Sequence, residues 1–451
     1  MPIVYISNQV ARLCKQPKAA RIKTLTTLDI KIGGALSVFH GVIARLVHLN
    51  IPVELICTVQ HDWDYTAREW TELSNLLASM TALQKIIIRW DTLPPHLVNR
   101  KLALRHRCTT ADLDWPLRQL SMLTTLHLND SCALTRLPES IGMLTALVSL
   151  CLEHCCALTQ LPESLGRLAV LSKLDLSDCF ELKQLPVSLG QLTALTMLDL
   201  SYCYALTHLP ESLDQLAALA TLNLASCCAL TQLPERLDHL TALETLILSG
   251  CDTLAALPET LGQLTALAAL HLRNCTALTA LPDSLGHLTA LHVLDMKACD
   301  ALTRLPESLG GMRSLRALIA TQCRALQALP DTLGRLSNLT MLNVQGSALA
   351  RLPDSLGWLT ALRTLDVSEC FALTSLPLSA AFLRDEMDLF IGRDSSRIIF
   401  PPKNVMCLGM PATKAFLLAH HYPCRILMLI LAAPPQHMPD ELWFLFYNFF
   451  K

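Results

Sequence analysis

Nine cysteines stand in one column of the sequence: Cys155, Cys179, Cys203, Cys227, Cys251, Cys275, Cys299, Cys323 and Cys370. Ser131 and Ser347 take the same place in two further copies. Thiolates in a column can ligate metal, but this one has no partnering His and no paired CxxC spacing. Neighbours about 5 Å apart lie within disulfide reach. Disulfides need an oxidising compartment, however, and the opening stretch MPIVYISNQVARLCKQPKAAR lacks the charged lead and apolar run of a secretory signal. The expectation is therefore a buried thiol that bonds a backbone group where a strand leaves a sheet. The doubled cysteines at 155–156 and 227–228 are that column plus one variable loop position.

Other reaction chemistry is poorly represented. The sequence contains no HExxH, no GxSxG and no GxxxxGK[ST] loop. His420 and His421 lie near Cys424, but adjacent histidines in an apolar tail read as packing or surface. The expectation is a chain that is not an enzyme, with no cofactor, no bound nucleotide and no metal.

What positions the cysteines is a repeat. A Leu-Pro pair recurs at Leu137, Leu161, Leu185, Leu209, Leu233, Leu257, Leu281, Leu305, Leu329, Leu352 and Leu376. Each step is 24 residues except that from Leu329 to Leu352, which is 23. One residue is missing there, from the loop after the strand. Within the copy LPVSLGQLTALTMLDLSYCYALTH (185–208), LDL has period 2 and predicts a short strand. Leu185, Leu189, Leu192 and Leu195 step by four, three and three, which predicts a helical or 3₁₀ return. Pro186 suits the start of such a segment. Gly190 is read as ending it, with Asp214 and Asp238 as the replacements that tolerate left-handed backbone.

One copy cannot bury an apolar face alone, whereas stacked copies can. Their strands would lie about 4.8 Å apart in one parallel sheet. Composition agrees: apolar residues make up 52% and charged residues 16%, enough for a large core. The formal charge of -2, with no basic stripe, argues against a nucleic-acid partner. The longest apolar run near the C-terminus, ILMLILAAPP, is too short for a membrane span.

The pattern LxxLxLxxCxxLxxLPxxLGxL resembles a leucine-rich repeat of the cysteine type. Its wording is similar to the arrays of plant intracellular disease-resistance proteins and to Ras-suppressor and Scribble-like proteins. The resemblance covers about residues 120–392. It implies an α/β solenoid, a horseshoe with a parallel β-sheet on the concave face and short helical or 3₁₀ segments on the convex face. The missing phosphate loop departs from a full resistance protein.

The irregular ends flank this array. LTTLDIKI (25–32), VELICTV (53–59), LQKIIIRW (83–90) and RKLALRH (100–106) read as strands, and 62–80 as an amphipathic helix. Residues 1–119 are thus expected to form degenerate repeats and a cap, 120–394 the regular repeats, and 395–451 a helical cap or tail. Leu389 and Ile391 predict one last coil. Pro401, Pro402, Val405, Gly409, Ala412 and Phe416 resemble the segment closing Roco-type arrays. The final MPDELWFLFYNFF is similar to the opening line of an F-box.

Outward strand positions carry whatever specificity exists. One column reads His127, Cys151, Asp175, Asp199, Asn223, Ile247, His271, Asp295, Ile319, Asn343 and Asp366. The next includes Asn129, Glu153, Ser177, Ser201, Arg273 and Lys297. Asp130, Glu153, Asp175, Asp178 and Asp199 gather acidic charge beside Phe180, Tyr202 and Tyr204, while Arg273, Lys297 and Arg324 bring positive charge later. Tyrosines flanked by charge are typical interface anchors. The expected activity is a non-catalytic scaffold in intracellular signalling or immune-type recognition, cytoplasmic or nuclear. It would hold a protein partner through Glu153, Asp175, Asp178, Phe180, Asp199, Tyr202, Tyr204, Arg273 and Lys297. The alternative is the substrate receptor of a ubiquitin ligase, acting through the F-box-like tail.

Overall fold

The computed structural model describes residues 123–391, the backbone of strands at 5–6, 28–32, 53–59 and 83–90, and pieces at 113–114, 117–118, 401, 406 and 409–419. Sixteen described strands form one sheet in chain order. They are β1 (Tyr5–Ile6), β2 (Leu28–Ile32), β3 (Val53–Val59), β4 (Leu83–Trp90), β5 (Thr125–His127), β6 (Ser149–Cys151), β7 (Lys173–Asp175) and β8 (Met197–Asp199). Then come β9 (Thr221–Asn223), β10 (Thr245–Ile247), β11 (Ala269–His271), β12 (Val293–Asp295), β13 (Ala317–Ile319), β14 (Met341–Asn343), β15 (Thr364–Asp366) and β16 (Asp388–Phe390). β1 pairs β2 antiparallel, and β2 pairs β3 in parallel. The repeat sets the register: Leu198 of β8 lies beside Leu174 of β7 and Leu222 of β9.

Period 2 makes each strand. Leu198 and Leu200 point inward and are fully buried, while Met197 and Asp199 between and before them are half-buried on the outer side. The chain then returns through a five-residue 3₁₀ turn, Val187–Gln191 in this copy. Leu189, Leu192 and Leu195 donate backbone N–H bonds to the carbonyls of Pro186, Leu189 and Leu192, each three residues back. This i, i+3 run places all three leucines on one buried edge. Pro186 precedes the turn in extended backbone rather than opening it.

Gly190 lies within the turn, not at its end, and neither it nor Asp214 nor Asp238 has a positive φ. The glycine column serves close approach. A Cβ on Gly166 would sit 2.6 Å from the carbonyl oxygen of Ser188 in the next coil. The turns stack backbone to backbone, and a side chain there would wedge them apart.

Asp214 breaks the glycine rule, and the neighbouring coil changes with it. The Asp214 coil keeps its turn, but the coil above has no 3₁₀ turn over 235–239. Arg236 stands there in place of the usual Ser or Thr. The Asp214 carboxylate, almost fully buried, accepts the His239 backbone amide at 2.9 Å and the His239 ring Nδ1.

The 23-residue copy keeps its strand register, with Met341 beside Thr364. The omission falls between Ser347 and Leu349, in the loop, as the sequence suggests. The last expected coil is present: β16 pairs with β15, and Ile391 is buried. Helix α1 (Met410–Ala419) packs on the turn Leu378–Phe382, burying Met410 and Leu417. Strands β2 to β4 extend the same sheet at uneven spacing. The segments 62–80, 100–106 and 436–451, with Pro402 and Val405, lie outside the described residues.

Candidate partner-binding face

The cysteine column sits where the strands leave the sheet. Cys203 is fully buried and its thiol donates to the Leu176 carbonyl of the preceding coil at 3.3 Å. Cys179, Cys227, Cys251, Cys275, Cys299 and Cys323 repeat that bond, and Ser347 makes it with Oγ to the Ala320 carbonyl at 2.8 Å. Burial pushes the Cys179 thiol up to about 12, so it stays a protonated donor. The column is structural, as its spacing suggests.

The residue just before each column cysteine is left-handed. Asp130, His154, Asp178, Tyr202, Ser226, Asn274, Ala298, Gln322 and Glu369 have φ between 58° and 61°, and Gly250 and Gly346 complete the series. Inter-coil bonds hold this geometry: the Tyr202 amide donates to the Ala225 carbonyl at 2.7 Å, and that of Asp178 to Ser201 at 2.8 Å. A left-handed non-glycine residue costs roughly 1–2 kcal/mol. Only the scattered Asn, Asp and Gly hint at this in the sequence.

The strand-end aspartates prepare the bend. Asp199 Oδ1 accepts the Ser201 amide at 2.9 Å and its hydroxyl at 2.6 Å, and Oδ2 accepts from Asn223 at 3.0 Å. Asp175 bonds Ser177 in the same way, and its Oδ2 lies 3.6 Å from Lys173 Nζ. These two carboxylates are engaged with their own loops. Glu153 accepts from Asn129 at 2.9 Å, and Asp178 lies 3.8 Å from His154.

The aromatic residues do come together. The rings of Phe180 and Tyr204 stack at 5.2 Å and 16°, on adjacent coils. Tyr202 meets Tyr204 edge-on at 6.3 Å and 86°. Both tyrosines remain nearly half exposed, at 44% and 45%. The three rings form a continuous strip along the rim where the chain leaves the sheet, with Asp178 two residues before Phe180 and Asp199 three before Tyr202 in the chain. Their pairing keeps the rings ordered at small further entropy loss on binding.

The positive residues are more engaged than charge alone indicates. Arg273 Nε bonds the buried Asp295 on the next coil, Asp295 also accepts the Lys297 amide at 3.2 Å, and Arg324 lies 3.9 Å from Asp300. The Arg273 guanidinium therefore neutralises a buried carboxylate as well as facing solvent. The column containing Lys173, Met197, Val293 and Met341 lies on the same face and is absent from the columns read in the sequence; its mark there is the residue before the first strand leucine.

The convex side uses glutamates. Glu163 accepts the amides of Val187 and Ser188 in the next coil at 3.2 and 2.9 Å, and Glu259 and Glu307 repeat the arrangement. The Ser188 amide holds the Glu163 carboxyl below its ordinary range despite some desolvation. Asp214 and Asp238 form a cluster with His239 and Arg236 at the irregular coil.

Residues 194–328 match the profile of a leucine-rich repeat region. No curated protein matches the chain in sequence. Among solved structures, a leucine-rich repeat protein of Leptospira interrogans is 25% identical, covering 82% of this chain and 90% of that one, with a TM-score of 0.53. A chain of the Drosophila Toll–Spätzle complex is 18% identical over 82% of this chain and 55% of its own, TM-score 0.55. A TDR receptor is 18% identical over 78% of this chain and 57% of its own, TM-score 0.51. This chain therefore spans little more than half of the last two, whose likeness is one of fold. No helix among the described residues is long and apolar enough to cross a membrane.

Proposed function

We propose that this chain, a leucine-rich repeat solenoid of cysteine-type 24-residue copies, is a non-catalytic scaffold that holds a protein partner. The observation carrying this reading is the ordered, half-exposed strip of Phe180, Tyr204 and Tyr202 beside the Asp178 and Asp199 carboxylates. A rigid aromatic strip next to negative charge suits a partner with an apolar anchor and a basic rim. Glu153, Lys297 and Arg273 would form the polar surround. Intracellular signalling or immune-type recognition is the role suggested by the likeness to resistance-protein arrays. A cytoplasmic or nuclear setting suits the thiol column, whose donated S–H bonds require the reduced form.

The test is capture of partners from native cell extract, identified by mass spectrometry, with the unaltered chain and with a Phe180→Ala, Tyr202→Asn, Tyr204→Ala variant. Asp175 and Asp199 are left intact because they serve the fold. A partner lost only with the variant supports the rim site, and its binding should weaken as salt rises. Identical partner sets would refute it.

A further inference from the structure

The rim column that supplies Phe180 and Tyr204 begins with two cysteines, Cys132 and Cys156, one coil apart. They are separate from the buried column: both are partly exposed. Their sulfurs lie 3.6 Å apart. Both thiols approach one acceptor, the His154 carbonyl, at 3.5 and 3.3 Å. The two coils are locked together right up to this point. Strands β5 and β6 pair in register, and the Asp130 amide donates to the Glu153 carbonyl at 2.9 Å. Strand spacing of about 4.8 Å puts equivalent positions within the Cα separation a disulfide accepts.

We propose that Cys132 and Cys156 form a reversible dithiol–disulfide site that reacts with low-molecular-weight disulfides such as oxidised glutathione. The Cys132 thiolate attacks one sulfur of the reagent, forming a mixed disulfide and releasing one thiolate. Cys156, losing its proton to solvent, then attacks Cys132 Sγ and releases the second thiolate. The protein loses two electrons, the reagent gains them, and the two released thiolates take up the two protons. Exposure selects this pair. Cys275 and Cys299 are also in adjacent coils, but both are fully buried with their thiols committed to the Leu248 and Leu272 carbonyls. Cys228 occupies the same rim column, with Tyr204 and Asp252 on either side instead of a thiol. The order of attack follows from acidity. The Cys156 sulfur 3.6 Å away holds the Cys132 thiol down at about 7, so a substantial fraction of it is thiolate near neutral pH, while the same contact raises Cys156. Closure would staple the first two regular coils directly beside Phe180.

The experiment equilibrates the full chain in oxidised and reduced glutathione mixtures, quenches with alkylating reagent, and maps the linked peptides by mass spectrometry. The expected product is a Cys132–Cys156 link formed while Cys275 and Cys299 still alkylate only after denaturation. In a Cys156→Ser chain, Cys132 should accumulate as the glutathione adduct. In a Cys132→Ser chain, Cys156 should stop at the glutathione adduct, with no link to any other cysteine. The mapping on the unaltered chain decides the matter even if either variant folds poorly. A 132–156 link that appears only together with links in the buried column overturns the proposal. So does Cys132 adduct formation on the unaltered chain without closure, or reaction at neither thiol.

Discussion

Tyr202 holds two demands in one residue. Its φ of 61° is unfavourable for an aromatic side chain, and its ring completes the edge of the rim strip. Asn274 shows that asparagine fits the same position. Tyr202→Asn should therefore stabilise the fold by about 0.5–1 kcal/mol in urea denaturation while weakening partner capture. A chain that loses both stability and binding would show that the ring serves the fold. Cys203 is judged by what its bond adds. The Leu176 carbonyl also accepts the Cys179 amide, so losing the thiol orphans nothing. Cys203→Val should cost about 0.5–1.5 kcal/mol, the value of one hydrogen bond. Cys203→Ser should cost less, because Ser347 performs the same task at the Ala320 carbonyl. A urea midpoint for each variant tests the order. Gly166 is the stricter position. Gly166→Ala puts a Cβ 2.6 Å from the Ser188 carbonyl and should destabilise by about 1–3 kcal/mol, although alanine normally favours helical turns.

At the scale of the element, the irregular coil at 235–239 is the weak point of the convex side. It has no 3₁₀ turn, and the buried Asp214 carboxylate substitutes for regular stacking. Hydrogen exchange should be faster there than in the turns Val187–Gln191 or Glu259–Gln263. Burial pushes the Asp214 carboxyl up, but the His239 amide, the His239 ring and Arg236 outweigh it and hold the carboxyl below its ordinary value. A depressed carboxyl contributes stability that is complete above its unfolded pKa and lost as pH falls through the folded one. Unfolding midpoints should drop below about pH 4, and Asp214→Asn should flatten that drop while lowering stability at neutral pH. An unchanged pH profile would show the cluster is energetically idle. This coil also marks the limit of reading from sequence. Leu198, Leu200 and Cys203 announce their positions because burial tolerates few alternatives. Gly190 is visible, but its cause is not, since close approach between coils depends on a neighbour 22 residues away. The face is legible as columns, and Phe180, Tyr202 and Tyr204 stand out in them. That Asp175 and Asp199 turn one oxygen back to their own loops is not legible, because the left-handed bend that invites those bonds leaves little trace in residue type.

At the scale of the whole molecule, each coil touches its neighbours and little else, so stability accumulates coil by coil. Excising residues 257–280 joins Ala256 to Leu281 and restores the repeat phase. That chain should remain folded, with a lower urea midpoint. Excising 257–268 instead breaks the phase and should leave the chain unable to complete the sheet, readable as lost cooperativity by circular dichroism.

The same interchangeability has a less obvious side. A stack of near-identical coils has translational symmetry along its axis, so a growing sheet could add the wrong copy and loop out 24 residues with strand pairing still satisfied. The 23-residue copy breaks that symmetry. Ser347, Gly346 and the shortened loop fit one place in the stack, between Cys323 and Cys370. The copy one residue short thus acts as an index mark, against which the chain on either side can count its coils.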